Sequence, residues 1–135
     1  MTEQSSRDPI TLSPVEDVIQ VRFSDTDAMG HISSGSYAAF AEVGRESFFK
    51  NIAGERSEVP WFVLARLAMD YPSEARYGQR FTLTTNAIRI GEKSLTLEQQ
   101  VFADGKLACK LEVVMVAFDR TTRKSAAVPR HWRLG

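Results

Sequence analysis

The chain has 135 residues, of which 43% are hydrophobic and 25% are charged, and this composition is typical of a single soluble globular domain. Its 17 basic and 17 acidic side chains balance, which argues against bulk binding of nucleic acid or of an anionic membrane surface. Cys109 is the only cysteine, so an intrachain disulfide is excluded. The N-terminus lacks the apolar core of a signal peptide, and no stretch approaches the ~20 apolar residues of a membrane span, so we expect a cytoplasmic protein.

The first 14 residues are polar and contain two prolines, and they predict a flexible tail in front of one domain over residues 15–135. A first strand is predicted over residues 18–23, where apolar and polar side chains alternate. Two carboxylates follow it: Asp25, expected to bond the loop backbone, and Asp27. Both precede a predicted helix, whose N-terminus carries unpaired N–H groups and a positive partial charge. A carboxylate opposite such donors is suited to attack on a carbonyl whose oxygen becomes an oxyanion.

A single long helix is predicted from about Tyr37 to Gly54, with Ser33 and Ser34 as its caps. Small and apolar residues recur at helical spacing, at Tyr37, Phe40, Ala41, Gly44, Phe48 and Ile52. The opposite stripe is polar and holds Glu42, Arg45, Glu46 and Lys50. The small residues on the apolar stripe predict close packing against a flat surface, most simply a sheet.

The remainder of the chain predicts four consecutive strands, over residues 61–71, 81–90, 95–101 and 111–118. Asp104 and Gly105 form a two-residue hairpin signal, and the last of these strands is apolar on both faces, as in the centre of a sheet. One helix covers only one face of a five-stranded sheet, and the strand over residues 61–71 has few charges to protect an edge. The chain is therefore expected to form homo-oligomers.

The motif R-F-x-D-T-D-x-x-G-H from Arg22 to His31 resembles that of the hotdog-fold acyl-CoA thioesterases, and among them the 4-hydroxybenzoyl-CoA thioesterase-like group. Tyr37, the helical E-x-x-R pair and the segment D-Y-x-x-x-A-R-Y-G from Asp70 to Gly78 agree with this resemblance. It implies an α+β hotdog fold in which one long helix packs on a five-stranded antiparallel sheet. It also implies a homodimer or homotetramer that hydrolyses an acyl-CoA, or an acyl-carrier-protein thioester, without cofactor or metal.

The resemblance implies roles for the residues before and at the start of the helix. Asp27 is the catalytic carboxylate, as nucleophile or general base, and backbone N–H groups from Ser33 to Gly35, with Ser34 at their centre, hold the oxyanion. His31 is placed among the catalytic residues and is expected to orient the loop, with contact to substrate or the filling of a polar pocket as its alternatives. Gly30, Ser33, Gly35 and Tyr37 are expected to contact the substrate.

Coenzyme A carries several phosphate charges, which need a local basic site because the chain is neutral overall. Two turns, over residues 91–94 and 119–124, supply basic and hydroxyl groups. The predicted phosphate-binding residues are Lys93, Ser94, Arg120 and Arg123.

Other functions remain open on the sequence alone. A hotdog enoyl-CoA hydratase or dehydratase would use His31 with an acid, and a non-catalytic hotdog protein would only bind acyl-CoA. A haloacid-dehalogenase-type phosphatase begins with a similar Asp-x-Asp motif but needs a parallel sheet with several helices. Within the thioesterase interpretation, Glu42 on the helix is the backup acid, and the structural alternative for Asp27 is a loop cap.

Overall fold

One long helix, α1, packs on an antiparallel sheet in the computed structural model, which describes residues 8–54 and 59–135. The elements are β1 (Ile10–Leu12), β2 (Val15–Ile19), α1 (Ser34–Gly54), β3 (Trp61–Asp70), β4 (Phe81–Ile90), β5 (Ser94–Ala103), β6 (Lys106–Asp119), β7 (Lys124–Ser125) and β8 (Trp132–Leu134). Five strands lie side by side in the order β2-β4-β5-β6-β3, each antiparallel to its neighbours, and the short β7 pairs with β6. The predicted α+β hotdog arrangement is confirmed.

The four strands predicted after the helix are confirmed as β3 to β6, and the tight turn between β5 and β6 explains their register. Asp104 and Gly105 have φ values of 50° and 79°, the left-handed pair that a two-residue hairpin requires. The apolar strand β6 lies between β5 and β3, as expected for a central strand. In the described part of the chain β3 is paired along one side only, with β6, and it exposes Trp61 and Leu64.

Helix α1 begins at Ser34, three residues before the predicted start at Tyr37, because Ser33 caps it. The Ser33 carbonyl accepts the Tyr37 N–H at 3.2 Å, and the Ser33 hydroxyl accepts the Ser36 N–H at 3.4 Å. The helix ends at Gly54, as the sequence predicts.

The six apolar-stripe residues of α1 are all buried, and the helix approaches the sheet most closely at Gly44. A Cβ atom at this position would overlap Leu83 Cδ2 and would lie 2.8 Å from Thr85 Oγ1 and 2.9 Å from Gln99 Nε2. Only glycine fits here without displacing the sheet side chains beneath it.

The assignment of Arg45 to the solvent-facing stripe is wrong, because this side chain is only 8% exposed. Its Nη1 donates to Gln99 Oε1 at 3.1 Å, and Gln99 Nε2 donates to the Ala41 carbonyl and to Thr85 Oγ1, each at 2.9 Å. A buried polar group on β5 therefore draws the guanidinium inward. Glu46 and Lys50 remain exposed and lie 3.8 Å apart.

The first strand ends earlier in the chain than the alternation predicts, and the placement over residues 18–23 is wrong. The strand is β2, which ends at Ile19, and Phe23 is 74% exposed at the start of the 3-10 turn Phe23–Asp25. The turn forms because the Asp25 carboxylate accepts the Arg22 N–H at 2.8 Å, which bends the backbone out of the extended conformation.

A flexible tail over residues 1–14 is contradicted at β1. This strand pairs in parallel with β8, and its Ile10 and Leu12 side chains are buried in the core. Burial of two large apolar side chains offsets the entropy lost in ordering a short terminal segment. Residues 1–7 lie outside the described residues.

Candidate active site

The loop between β2 and α1 is tied to the helix start through Asp25. This residue is 8% exposed, and its carbonyl accepts the Ser33 N–H at 3.1 Å and the Ser36 hydroxyl at 2.9 Å. With its carboxylate bonded to the Arg22 N–H, Asp25 fixes the loop from both its side chain and its main chain. The predicted backbone-bonding role of Asp25 is confirmed.

Asp27 lies two residues further on, and its side chain is exposed and bonded only to backbone N–H groups. Its Oδ1 accepts from Met29 at 2.9 Å and from His31 at 3.1 Å, while the Asp27 N–H donates to the His31 carbonyl at 2.8 Å. The bond from Met29, followed by the bond from His31, lowers the pKa of Asp27 below its usual value. The carboxylate is therefore ionised at neutral pH and held in a defined orientation.

Two backbone donors at the start of α1 remain unused. Ser36 and Tyr37 donate their N–H groups to Ser33, whereas those of Ser34 and Gly35 have no acceptor among residues 8–54 and 59–135. The first N–H groups of a helix carry its positive partial charge and bind anionic oxygens. The junction therefore presents an anionic carboxylate and two free donors on neighbouring residues.

A pocket of about 280 Å³ opens between this junction and the segment that follows β3. Its lining residues are Asp27, His31, Ile32, Ser34, Tyr37, Tyr71, Ser73, Glu74 and Ala75. Tyr37 is 3% exposed, and its ring centroid lies 5.7 Å from that of Tyr71. Burial raises the pKa of Tyr37 to about 12, so the phenol stays neutral. The pocket thus combines an aromatic wall with a charged group and a helix N-terminus.

The structure brings together the predicted Asp27, His31, Ser34 and Tyr37, which all line this pocket. Gly30, Ser33 and Gly35 lie beside them along the chain without lining it. Gly30 has a φ of 79°, which the turn between Asp27 and His31 requires and which favours glycine.

The segment after β3 contributes lining residues that the sequence interpretation missed. An antiparallel bridge joins His31 to Arg76, and the Ile32 N–H donates to the Ala75 carbonyl at 2.9 Å. Tyr71 and Glu74 reach the pocket through this pairing. Both residues belong to the D-Y-x-x-x-A-R-Y-G segment that supports the family resemblance. The residues of that segment do not indicate that it packs against the loop containing His31.

The predicted phosphate-binding residues lie at the other end of the sheet. Arg120 is placed 4.0 Å over the Trp61 ring and Arg123 5.4 Å from the Phe118 ring, where β3 begins and β6 ends. Lys93 is in the β4–β5 turn, from which its carbonyl accepts the Ala117 N–H, and Ser94 follows it. The 10 residues of β3 separate this end from Tyr71, a span of about 30 Å.

A second cleft, of about 610 Å³, lies between α1 and β3. Its lining includes Glu42 and Arg45 from the helix and Trp61 and Phe62 from the strand. The backup acid Glu42 therefore lies in this cleft and not in the pocket that contains Asp27.

Residues 8–54 and 59–135 contain neither a membrane-spanning helix nor a metal-binding cluster. None of their helices is both long and apolar enough to cross a membrane. Their His, Cys, Asp and Glu side chains form no group of three or more that could hold a metal ion.

Comparison with known sequences gives a consistent result over most of the chain. The model of the thioesterase-like superfamily matches residues 21–133. The acyl-CoA thioester hydrolase YbgC of Escherichia coli is 27% identical over 120 residues, which are 83% of this chain and 87% of that protein. The protein of the same name from Shigella flexneri matches to the same extent.

Comparison with solved structures also finds thioesterases. A predicted thioesterase from Bacillus stearothermophilus superposes with a TM-score of 0.78 and 32% identity, over 88% of this chain and 90% of that one. A thioesterase from Thermus thermophilus, complexed with coenzyme A and Zn, superposes with a TM-score of 0.75 and 27% identity, over 86% of each chain.

Proposed function

This chain belongs to the thioesterase-like superfamily and is a thioester hydrolase, and we propose that it hydrolyses an acyl-CoA to the free acid and coenzyme A in the pocket around Asp27. One observation carries the location of the chemistry. The oriented, ionised carboxylate of Asp27 and the free N–H groups of Ser34 and Gly35 occupy the same loop–helix junction. The relative complexed with coenzyme A supports the substrate class.

Asp27 acts as the nucleophile or as the general base in this proposal. Its Oδ1 accepts two N–H bonds, which leaves Oδ2 to meet the thioester carbonyl carbon or an attacking water. The leaving group is a thiol with a pKa near ~8.5, so it departs as thiolate without a dedicated proton donor. An aspartate that is ionised across the neutral range meets this modest chemical demand.

The oxyanion formed on the thioester carbonyl accepts the N–H groups of Ser34 and Gly35. Preorganised donors of this kind act where negative charge develops, and loss of one costs on the order of 10²–10³ in rate. Ser34 contributes through its main chain, and its side chain lines the pocket beside Tyr71. Tyr37 forms part of the wall against which the acyl group packs.

The coenzyme A end of the substrate requires a second copy of the chain. Strand β3 exposes Trp61, Val63 and Leu64 along an edge that is open in the described structure. If two copies pair through β3 about a two-fold axis, the strands run antiparallel, and the Trp61 end of one lies beside the Tyr71 end of the other. The homodimer, or a homotetramer built from it, therefore brings Arg120 of one subunit toward Asp27 of the other.

Lys93, Ser94 and Arg123 accompany Arg120 at that end of the sheet, and together they form the proposed phosphate site. The nucleotide of coenzyme A is too polar to bury cheaply, so a surface cluster of basic residues suits it. We place the enzyme in a reducing cytoplasm because its sole cysteine, Cys109, is buried and unpaired.

A thiol-release assay tests the proposed function. Purified protein is incubated with short-chain, long-chain and aromatic acyl-CoAs, and free coenzyme A is measured with a thiol reagent. We expect release with at least one class, and none above background when the thioester is replaced by a non-hydrolysable thioether. Binding of acyl-CoA without thiol release would indicate a non-catalytic protein, and loss of enoyl absorbance without thiol release would indicate a hydratase.

A further inference from the structure

Glu74 forms a close contact with His31 across the pocket, and the proposed mechanism does not use it. Its Oε2 lies 2.6 Å from His31 Nε2 and 3.9 Å from Arg76 Nη2. The His31 ring is largely covered, at 22% exposure, and its Nε2 is buried without an aligned hydrogen-bond partner among the described residues, so Glu74 meets it as a close contact and not as a hydrogen bond. The carboxylate therefore restrains the position of the imidazole ring through this close contact.

The segment that carries Glu74 is itself held to the sheet. The Ser73 hydroxyl donates to the Leu107 carbonyl at 2.6 Å, and the Arg76 N–H donates to Gln79 Oε1 at 2.7 Å. The segment is also joined to the loop between β2 and α1 by the His31–Arg76 bridge. Glu74 thus extends from an anchored segment toward a loop whose residues Asp27 and Met29 are exposed.

His31 transmits this contact to Asp27 through its main chain. The His31 N–H donates to Asp27 Oδ1 at 3.1 Å, and the His31 carbonyl accepts the Asp27 N–H at 2.8 Å. A shift of the His31 backbone therefore moves the carboxylate that we propose as nucleophile or base. Misplacement by about 1 Å of a reacting group can cost on the order of 10² in rate.

We propose that Glu74 is a positioning residue, which holds the His31 ring and through the His31 backbone fixes the orientation of the Asp27 carboxylate. This inference rests on the proposed role of Asp27. It assigns Glu74 no contact with substrate and no proton transfer. Its effect is mainly on kcat, because the carboxylate must be aligned in the transition state, whereas the aromatic wall of Tyr37 and Tyr71 against which the acyl group packs is unchanged.

Two variants separate the charge of Glu74 from its contact with His31. Glu74→Gln keeps an acceptor oxygen but loses the charge, and Glu74→Ala loses both. We expect kcat to fall about 3-fold in the first and about 10-fold in the second, with KM changed less than about 2-fold. The matched control is Glu112→Ala, which breaks an exposed pair of similar length, 2.9 Å to Arg66, on the sheet away from the pocket and should leave kcat unchanged.

A double-mutant cycle tests whether Glu74 acts through His31. Glu74→Ala should add no further loss of kcat in a His31→Gln background, because the ring that it holds is then absent. Full activity of Glu74→Ala, or an equal loss of kcat with and without the His31 ring, would overturn the inference.

The imidazole nitrogen NMR signals of His31 give a readout that does not depend on turnover. In Glu74→Ala the Nε2 signal should move, while in Glu112→Ala it should stay; an unmoved signal would also overturn the inference. Failure of the proposed function is separately visible, as full activity of Asp27→Asn or absence of thiol release by the wild type, and in either case this inference fails with it.

Discussion

Helix α1 has two polar regions, and they use hydrogen bonds in opposite ways. At its N-terminal junction, backbone N–H groups bond one oxygen of Asp27, and the carboxylate stays at the surface. At its middle, Gln99 bonds both Arg45 and Thr85 beneath the helix, and all three side chains are buried. The junction therefore has unused bonding capacity that a substrate can engage, whereas the middle has little.

The physical reason for this difference is the kind of partner at each place. Backbone donors at a helix end belong to the main chain and remain where they are when a side chain is replaced. The buried cluster consists of side chains that satisfy each other, so the loss of one leaves the others unpaired at a cost of about 1–3 kcal/mol each. Substitutions at the junction before the helix should thus change activity, whereas substitutions at the middle of the helix should change stability.

Asp27→Asn should have the largest effect, and it should lower activity without lowering stability. Without an ionised carboxylate, kcat should fall by at least ~10², equivalent to roughly 2.7 kcal/mol at ~1.36 kcal/mol per decade. The melting temperature and the oligomeric state should stay close to wild type, because the side chain is exposed and the amide oxygen can still accept the two N–H bonds. Activity within a few fold of wild type would move the role to Glu42, which Glu42→Gln would then test.

Gly44→Ala should do the reverse, with loss of stability and little change in the chemistry of the folded enzyme. The added methyl overlaps Leu83 and crowds the bonded Thr85 and Gln99, and such overpacking costs about 1–3 kcal/mol. Better helix propensity offsets at most about 1 kcal/mol of this. Urea denaturation followed by circular dichroism measures the change in the free energy of unfolding.

The control for Gly44→Ala is Gly54→Ala at the C-terminal end of the helix, where an added Cβ meets no atom of the described residues within 4 Å. Its free energy of unfolding should match that of the wild type or exceed it. Equal stability of the two alanine variants would contradict the close approach of α1 to the sheet.

Arg120→Ala concerns a third region, remote from both halves of the helix, and should have a smaller effect. Loss of an exposed contact to phosphate, worth about 1 kcal/mol, should raise KM for acyl-CoA about 5-fold and leave kcat unchanged. The increase should shrink as salt rises and should vanish with an acyl-pantetheine, which lacks the nucleotide. An equal rise in KM for the truncated substrate would indicate that Arg120 supports the fold and does not bind phosphate.

Mixing Arg120→Ala with Asp27→Asn tests whether these residues serve one site from two subunits. After exchange of subunits, a heterodimer has one site that combines an intact Asp27 with an intact Arg120. We therefore expect that site to show the KM of the wild type. Retention of the raised KM in all active sites of the mixture would contradict the paired β3 strands.

The smallest expected effect is on pH dependence. Because its backbone hydrogen bonds lower the pKa of Asp27, the carboxylate is ionised above that value and is lost as the pH falls through it. The acid limb of kcat/KM assigned to Asp27 should therefore lie below the ordinary aspartate value of ~3.9. A pH–rate profile, with circular dichroism at each pH to confirm folding, measures it; a limb from Asp27 centred above pH ~5 would contradict the observed bonds.

Much of the architecture could be predicted from local pattern. The apolar spacing of α1 correctly identified its buried face, Gly54 marked its end, and the Asp104–Gly105 turn identified the β5–β6 hairpin. These features depend on neighbours within a few residues, where backbone geometry and turn chemistry determine the outcome. The position of Asp27 before a helix start was predictable for the same reason.

Other features depend on residues far apart in the chain, and periodicity contains no information about them. Arg45 has a polar side chain at a position where polar side chains usually meet water, and only Gln99, 54 residues away, explains its burial. β1 is ordered by β8, from the other end of the chain. A short terminal segment of this kind gains its order entirely from its partner.

The sequence by itself determined the helix, the central strands and the acid at the loop–helix junction, because each depends on local spacing and capping. Only the tertiary structure decided that Glu74 faces His31, and that Arg120 lies the length of β3 away from Asp27 in the same subunit. The first depends on the pairing of two loops that lie far apart in the chain, and the second on the direction in which the strands run. Chain topology sets both relations, and side-chain type alone specifies neither.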